Sequence, residues 1–362
     1  MLYKIFSTER KSQIHIHLSS IMKNCTKVPK VSILLPVYNA AEWLRDCLHS
    51  ISQQTFHDFE IIAVNDGSTD DSLFILHQFQ QFDKRMQVHT FTENQGIVAA
   101  LNTAFEKAEG EFMARMDADD IMPADRLRLQ AKYLLEHTQA GVVSGRVEYI
   151  GDSEANLGYY RYVQWLNSIY SAYEIRLRRF IESPVAHPSV MMRRNILPKT
   201  VYRKGNFPED YDLWLRLLES GAEIHKIDEV VLRWRDHPER ISRTNKEYDR
   251  EYFFEHKAQF IAAEIRRLKP EIILAWAGGR KTRRRIDFLR KFGIEMKGYI
   301  DVHPRRINTI IHGLPVISPE NIPWQSDILI LVFVPNWGAR DEITRFLVSR
   351  GAKEGEQFLL CA

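Results

Sequence analysis

Cysteine is scarce: Cys25, Cys47 and Cys361 are scattered over 362 residues with no CxxC pair. That excludes a disulfide framework and a cysteine-rich zinc site, and makes a reducing cytoplasm the expected setting. Long apolar runs are missing too. No stretch approaches the roughly 20 apolar residues needed to cross a bilayer. The longest run near the C-terminus, Ile328 to Pro335, is strand length. No lysine-rich start leads into an apolar segment, so a secretory leader is not expected. Charge of one sign is also lacking: the net charge is only +3, which does not suit a nucleic-acid binder.

What is present is an ordinary globular balance, 44% hydrophobic and 27% charged. Single cores stop growing at about 250–300 residues, so two domains are expected. Residues 1–27 are polar, carry His15 and His17, and show no period. They read as a flexible extension, with Met22 as the biological start.

From Val31 onward, short apolar runs alternate with helical patterns, the rhythm of an α/β fold with a mostly parallel sheet. Strands are expected at 31–37, 59–64, 86–91, 112–116, 141–149 and 230–235. Helices are expected at 72–82, 97–108, 123–136, 211–220 and 246–268, with another after the first strand, where Trp43, Leu44, Cys47, Leu48 and Ile51 fall at helical spacing. Residues 150–205, rich in Tyr, Trp and Arg, read as acceptor-side loops and helices rather than framework. Lys269-Pro270 marks a boundary. Beyond it the βαβ rhythm restarts through strands at 272–277, 297–300 and 327–334, a helix at 339–350 and a short strand near Phe358. The fold class is therefore α/β, a Rossmann-like, mostly parallel sheet followed by a smaller Rossmann-like unit.

Three polar segments fall at strand ends, where open α/β sheets bind their ligands. They are Pro36-Val-Tyr-Asn39, Asn65-Asp-Gly-Ser68 and Asp117-Ala-Asp119. An aromatic after the first strand can stack on a base, and a carboxylate after the second can accept from a base edge. Two carboxylates one residue apart can hold a hard divalent cation against a diphosphate. Taken singly, an Asp-Gly-Ser-Thr-Asp run is as readily a turn with a helix cap.

The segments do not stand singly. Val31–Asn39, Gln54–Glu60, Asn65–Asp70, Asn94–Gly96, Ala108–Glu111 and Met116–Asp120 follow in an order and spacing that resembles the family 2 glycosyltransferases. The resemblance covers about residues 28–245. It implies the A-type glycosyltransferase fold, a catalytic domain over 28–268 and an accessory domain over 269–362. It also implies a nucleotide-sugar donor, with uracil as the base by family habit, and Mn²⁺ or Mg²⁺ as cofactor.

Residue by residue, it places Pro36 and Tyr38 on the base, Asp66 as its reader, Gly96 along the nucleotide, Asp117 near the ribose and Asp119 on the metal. Asn65 departs from the pattern, standing where many members carry a first Asp. Phe207–Trp214 resembles the family's acidic motif, which assigns Asp210 as the base for an inverting transfer. Glu209 shapes the acceptor pocket. The dipole of the helix that follows is expected to keep Asp210 ionised. The segment Trp234–Ser242 resembles the end of the catalytic domain, with Arg235 on the diphosphate and His237 on the metal. His187 is read as a structural or supporting residue.

The C-terminal unit, with Trp276-Ala-Gly-Gly-Arg280 and Asp301 at strand ends, resembles the nucleotide-sugar-binding domain of bacterial sugar acyltransferases. It is read as non-catalytic. The clusters Arg176–Arg179 and Arg280–Arg285 read as solvated helix faces. A sharper reading rests one of them on anionic lipid at the inner face of the membrane, because many family acceptors are lipid-linked.

The function these readings imply is inverting, metal-dependent sugar transfer from a UDP-sugar to a glycan or lipid-linked acceptor in surface polysaccharide biosynthesis. The alternatives are a nucleotide-sugar-binding protein without catalysis and a nucleotidyltransferase, which would show a Gly-rich basic loop after the first strand. A single geometric expectation underlies all of this: Asp66, Asp119 and Asp210 should surround one cation-diphosphate pocket.

Overall fold

The computed structural model of the chain describes residues 28–238, 240, 250–277 and 279–362. The expected N-terminal extension with Met22, the start of the expected 246–268 helix, Ser242 and Gly278 lie outside these residues.

Strand β1 (Val31–Val37) is followed by α1 (Ala41–Ser52), β2 (Phe59–Asn65), α2 (Ser72–Phe82), β3 (Met86–Thr90) and α3 (Ile97–Lys107). Then come β4 (Phe112–Arg115), α4 (Arg126–Glu136), β5 (Ala140–Ile150), α5 (Leu157–Ser168) and α6 (Ala172–Arg178). The first sheet is completed by β6 (Met191–Arg193) and, after α7 (Glu209–Glu219), by β7 (Glu223–Arg235). Its strand order is β3-β2-β1-β4-β6-β5-β7. All seven residues of both β1 and β2 are buried, as expected of interior parallel strands covered on both faces. Pro36 is tolerated in β1 because β4 pairs only with Val31–Leu34, so its missing N–H interrupts no ladder on that side.

Strand β6 runs antiparallel between β4 and β5. Its segment falls in 150–205, read from the sequence as loops and helices rather than framework. Three residues are too short to show a period, and their neighbours are 3₁₀ turns.

Helix α8 (Arg250–Leu268) leads to a second sheet. Its elements are β8 (Ile272–Trp276), α9 (Arg280–Arg290), β9 (Gly298–Ile300), β10 (Ile310–Ile311), β11 (Leu314–Ile317), β12 (Ile328–Val332), α10 (Trp337–Ser349) and β13 (Phe358–Leu360). The order is β10-β11-β9-β8-β12-β13, parallel except for the β10–β11 hairpin. Helix α8 packs against elements of the first unit. Tyr211 of α7 stacks on Phe253 of α8 at 4.3 Å, and the Lys257 ammonium, fully buried, donates to the Phe180 carbonyl at 2.6 Å.

The arginines at 176–179 are not a solvated face. Arg179 and Arg176 pair with Glu264 of α8 at 3.1 and 3.6 Å, and Arg178 pairs with Glu354 just before β13. This basic cluster is spent joining the two halves of the chain, so its charge is not offered to lipid. No described helix is long and apolar enough to cross a membrane.

Candidate active site

The ends of β1, β2 and β4 form the floor of the site, and their loops are tied together before any ligand is considered. The Asn39 and Ala40 amides donate to Ser68 and Ser72 Oγ, and the Ala41 amide donates to Asp70. The Asn39 side chain accepts from the Thr69 amide at 2.8 Å, with its own backbone in the left-handed region at φ 46°. Asn65, the departure from the family pattern, is 1% exposed, and its side-chain oxygen faces the Ser68 amide within its own turn.

Asp66 is 3% exposed and accepts from the Gln95 and Gly96 amides at 2.7 and 2.9 Å and from Asn94 Nδ2 at 3.1 Å. Burial pushes its carboxyl up, and the two amides oppose that. Its first task is thus to hold the loop that enters α3. Gly96 makes this turn at φ 90°, and Gly67 sits at φ 66° with its α-carbon against the 93–94 backbone. A Cβ on Gly67 would lie 2.5 Å from the Glu93 carbonyl carbon. Gly67→Ala is therefore expected to displace this loop, which hydrogen exchange would read as lost protection of the Gln95 and Gly96 amides.

A cavity of about 1140 Å³ opens above this floor, lined by Pro36, Tyr38, Asp66, Gly96, Asp117 and Asp119 among others. Tyr38 is 46% exposed there, so its ring is available for stacking. Lys204 and Phe207 form the opposite wall. A second cavity, about 990 Å³, adjoins it and is lined by Glu209, Asp210, Tyr159, Tyr162, Trp234 and Arg240, with further residues from α8, α9 and α10. The expected single pocket is thus two. Asp66 and Asp210 line different cavities, and these meet at a seam of shared residues: Ile97, Asp117, Asp119, Glu209 and Arg240. Glu209, the first residue of α7, is one of the residues facing both spaces.

At the seam, Asp117, Asp119 and Asp120 each place an oxygen within 4.8 Å of the others. Asp117 pairs with Arg115 at 2.6 Å. Asp119 pairs with His237 Nε2 at 2.9 Å. Its burial, which would raise the pKa, is outweighed by that hydrogen bond and by Arg240, so the carboxyl is held low. Asp120 is fully buried, with one oxygen on the Arg235 amide at 2.8 Å and its other oxygen without a hydrogen-bond partner among the described residues. Burial and then the charges of Asp119 and Asp117 push the Asp120 carboxyl well up. Three converging carboxylates, one with an unmet buried oxygen, fit a hard divalent cation. Sequence reading gave Asp120 no role, although it stands next to Asp119 in the same motif.

Arg235, expected on the diphosphate, lines neither cavity. It donates to the Asp119 carbonyl at 2.9 Å and pairs with Asp46 at 3.5 Å, so it braces the aspartate loop. The cation at the seam is Arg240. Its guanidinium lies over Trp234 at 4.7 Å, and the nearby aspartates and Tyr159 outweigh the effect of burial and raise its pKa. Arg235 is the last residue of β7 and Arg240 lies beyond the strand, an exchange that the linear motif did not show. The His237 ring packs tilted against Trp43, with centroids 4.0 Å apart.

In the second cavity, Glu209 is 4% exposed and 3.6 Å from His187, which bonds Tyr202 at 3.0 Å. His187 thus supports Glu209 from beneath. Asp210 lies in the first turn of α7, yet burial, and then the Glu209 charge, push its pKa up to about 8. The expectation that the helix dipole keeps it ionised is corrected. A helix terminus contributes about 0.3–1 kcal/mol, less than the cost of burying a carboxylate beside another.

In the C-terminal unit, Asp301 at the end of β9 accepts from the His303 amide at 2.9 Å and pairs with Arg306 at 2.8 Å. Both oxygens serve its own loop.

Known proteins agree with this architecture. The Glycosyl transferase family 2 model matches residues 32–200. An uncharacterised glycosyltransferase of Methanocaldococcus jannaschii, MJ1057, is 32% identical over 210 residues, 57% of this chain and 71% of its own. The putative teichuronic acid biosynthesis glycosyltransferase TuaG of Bacillus subtilis is 29% identical over 207 residues, 57% of this chain and 79% of its own. Residues 1–349 of Staphylococcus aureus TarS, solved with UDP-GlcNAc, share the fold at a TM-score of 0.52 and 19% identity, covering 73% of this chain and 71% of that one. The chain belongs to glycosyltransferase family 2 and has the A-type glycosyltransferase fold.

Proposed function

We propose that the chain transfers a sugar from a UDP-sugar to a glycan or lipid-linked hydroxyl in surface polysaccharide synthesis, with inversion and with a divalent cation. The observation that carries this reading is the aspartate seam between two adjoining cavities. One cavity has the stacking ring and strand-end carboxylate suited to a nucleotide. The other has a buried carboxyl with a raised pKa suited to an acceptor hydroxyl.

In this reading Tyr38 and Pro36 take the base, and Asp66 keeps the Gln95–Gly96 loop in place beneath it. Asp117, Asp119 and Asp120 hold the cation, with His237 orienting Asp119. The cation would supply neutralising charge for the leaving diphosphate. Arg240, reaching both cavities, adds a fixed positive charge at the same place. Asp210, from the acceptor cavity, takes the proton of the attacking hydroxyl. With the base in one cavity and the diphosphate held in the other, a single in-line displacement would join the acceptor oxygen to the anomeric carbon as the diphosphate departs, inverting that carbon. The accessory unit over 269–362 performs no chemistry in this scheme.

Asp119→Ala tests the donor half: UDP binding in the presence of Mn²⁺ is expected to fall by at least tenfold in calorimetry. Unchanged, Mn²⁺-dependent binding would remove the seam from its role. The product's anomeric configuration, read by NMR, tests the stereochemistry, and retention would overturn it.

A further inference from the structure

One wall of the nucleotide cavity is the irregular segment that enters α7, through Lys204, Gly205 and Phe207. The segment is fixed at several points. The Tyr202 amide donates to Asn102 Oδ1 of α3 at 3.1 Å, and Asn102 Nδ2 donates back to the Tyr202 carbonyl at 2.8 Å. Arg203 Nε donates to the fully buried Asp212 at 3.0 Å. The Phe207 ring stacks on His256 of α8, with centroids 3.9 Å apart and planes 24° from parallel. Gly205 lies against that ring, since a Cβ there would fall 2.1 Å from Phe207 Cε1. Between these anchors stands Lys204. It is exposed, and its ammonium has no hydrogen bond or ion pair with any described residue. Arg203 and Phe207 are committed to the fold, and the lysine is not.

The cavity it enters is rich in carboxylates, with Asp66, Glu93, Asp117, Asp119 and Glu209 in the lining. A nucleotide-sugar diphosphate is a dianion. A divalent cation among Asp117, Asp119 and Asp120 would have much of its charge cancelled by those carboxylates, so positive charge from side chains is needed to hold the dianion. Three basic side chains line the cavity. His237 is engaged by Asp119 at 2.9 Å, and Arg240 is fixed by the Arg235 carbonyl and the face of Trp234. The third is Lys204.

We propose that Lys204 binds a phosphate of the nucleotide-sugar donor from the wall ahead of α7. This rests on the functional reading above and extends it to a further donor-binding residue. A lysine ammonium is a compact charge with three donors on a flexible stem, so it can meet a phosphate oxygen without a preformed fork. The segment that carries it is anchored on both sides, so little backbone freedom is lost when the donor arrives. Sequence reading placed residues 150–205 on the acceptor side. Lys204, at the end of that stretch, lines the donor cavity instead, because Asn102, Asp212 and His256 hold its neighbours there.

The test uses the full-length protein with Mn²⁺ and titrates uridine, UMP and UDP by calorimetry. Lys204→Met keeps the stem and removes the charge. It is expected to weaken UDP binding about tenfold, the lower end for a hydrogen bond to a charged group because Lys204 is exposed. Uridine binding should stay within twofold. A loss shared by UMP places the ammonium on the first phosphate, and a loss confined to UDP places it on the second. Lys204→Arg is expected to recover most of the UDP affinity. The logarithm of UDP affinity should also fall less steeply with the logarithm of KCl concentration in Lys204→Met than in the wild type, because a pair that salt screens has gone. A packing defect would leave the two slopes parallel. Equal UDP affinities of wild type and Lys204→Met, or equal losses for uridine and UDP, overturn this inference alone. Failure of the wild type to bind UDP overturns instead the assignment of the cavity to a nucleotide. Where uridine binds too weakly to titrate, the salt series decides, and parallel slopes overturn the inference.

Discussion

Asp210→Asn is expected to lower transfer by a factor on the order of 10²–10⁴, the usual worth of a general base, while UDP binding stays within twofold. Asp210 lines the acceptor cavity alone, so the donor side should not register the change. In the wild type, with the carboxyl at about 8, the base form is scarce at neutral pH. Transfer should therefore climb as pH rises through about 8, and the variant should lack that rise. The same shift carries a stability consequence of opposite sense. A carboxyl whose folded pKa is raised contributes stability that is fully present below its unfolded value, about 3.9, and lost as pH rises to about 8. The asparagine cannot ionise and loses nothing. Its Tm should exceed that of the wild type by a margin that widens from pH 4 to pH 8 and then levels. Retained transfer, or a Tm gap independent of pH, would take Asp210 out of the base role.

Asp212→Ala should have the largest effect on stability. This carboxylate is fully buried on α7 and pairs with Arg216 at 2.8 Å, with His256 of α8 at 2.9 Å and with Arg203. Burial raises its pKa, but the bond from His256 and then the two arginines outweigh it and hold the carboxyl far below its ordinary value. Removing one member of a buried ion pair costs about 3–5 kcal/mol. Because Arg203 is 41% exposed, the lower end applies here. At about 2–4 °C per kcal/mol, Tm should fall by roughly 10 °C.

The pH dependence is the reverse of that of Asp210. A depressed folded pKa gives stability that is present above about pH 4 and lost as pH falls through the folded value. The gap between wild type and variant should hold from pH 8 to pH 5 and close in acid. Asp212 also fixes the Arg203 end of the segment that carries Lys204 and Phe207 to the nucleotide cavity, and Phe207 stacks on His256 at 3.9 Å. UDP affinity should therefore fall along with Tm, a coupling that a purely local packing defect would not produce.

The strand-end motifs were legible because chain order and local chemistry suffice for them. A buried parallel strand must be an apolar run, its carboxyl end must meet the ligand crevice, and the residues just past that end are neighbours in sequence. Pro36, Tyr38, Asp66, Asp117 and Asp119 could be placed on this basis, as could the α/β class and the restart of the pattern after Pro270. Asp66 shows the limit of that reasoning. Its position was readable, but its engagement by the Gln95 and Gly96 amides depends on how the 93–96 loop folds back.

What only the tertiary structure decided are relations between segments far apart in the chain. It separated one expected pocket into two that share Ile97, Asp117, Asp119, Glu209 and Arg240. It set Arg240 rather than Arg235 at the seam, because the Arg235 side chain is engaged by the Asp119 carbonyl and Asp46. It turned Asp210 from an ionised group into one with a raised pKa, because burial depends on what packs above a helix end and not on the end itself. It also brought Arg285 and Arg340 to the cavity that Tyr159 and Asp210 line. Periodicity records which face of an element is buried, and it carries no record of which other element buries it.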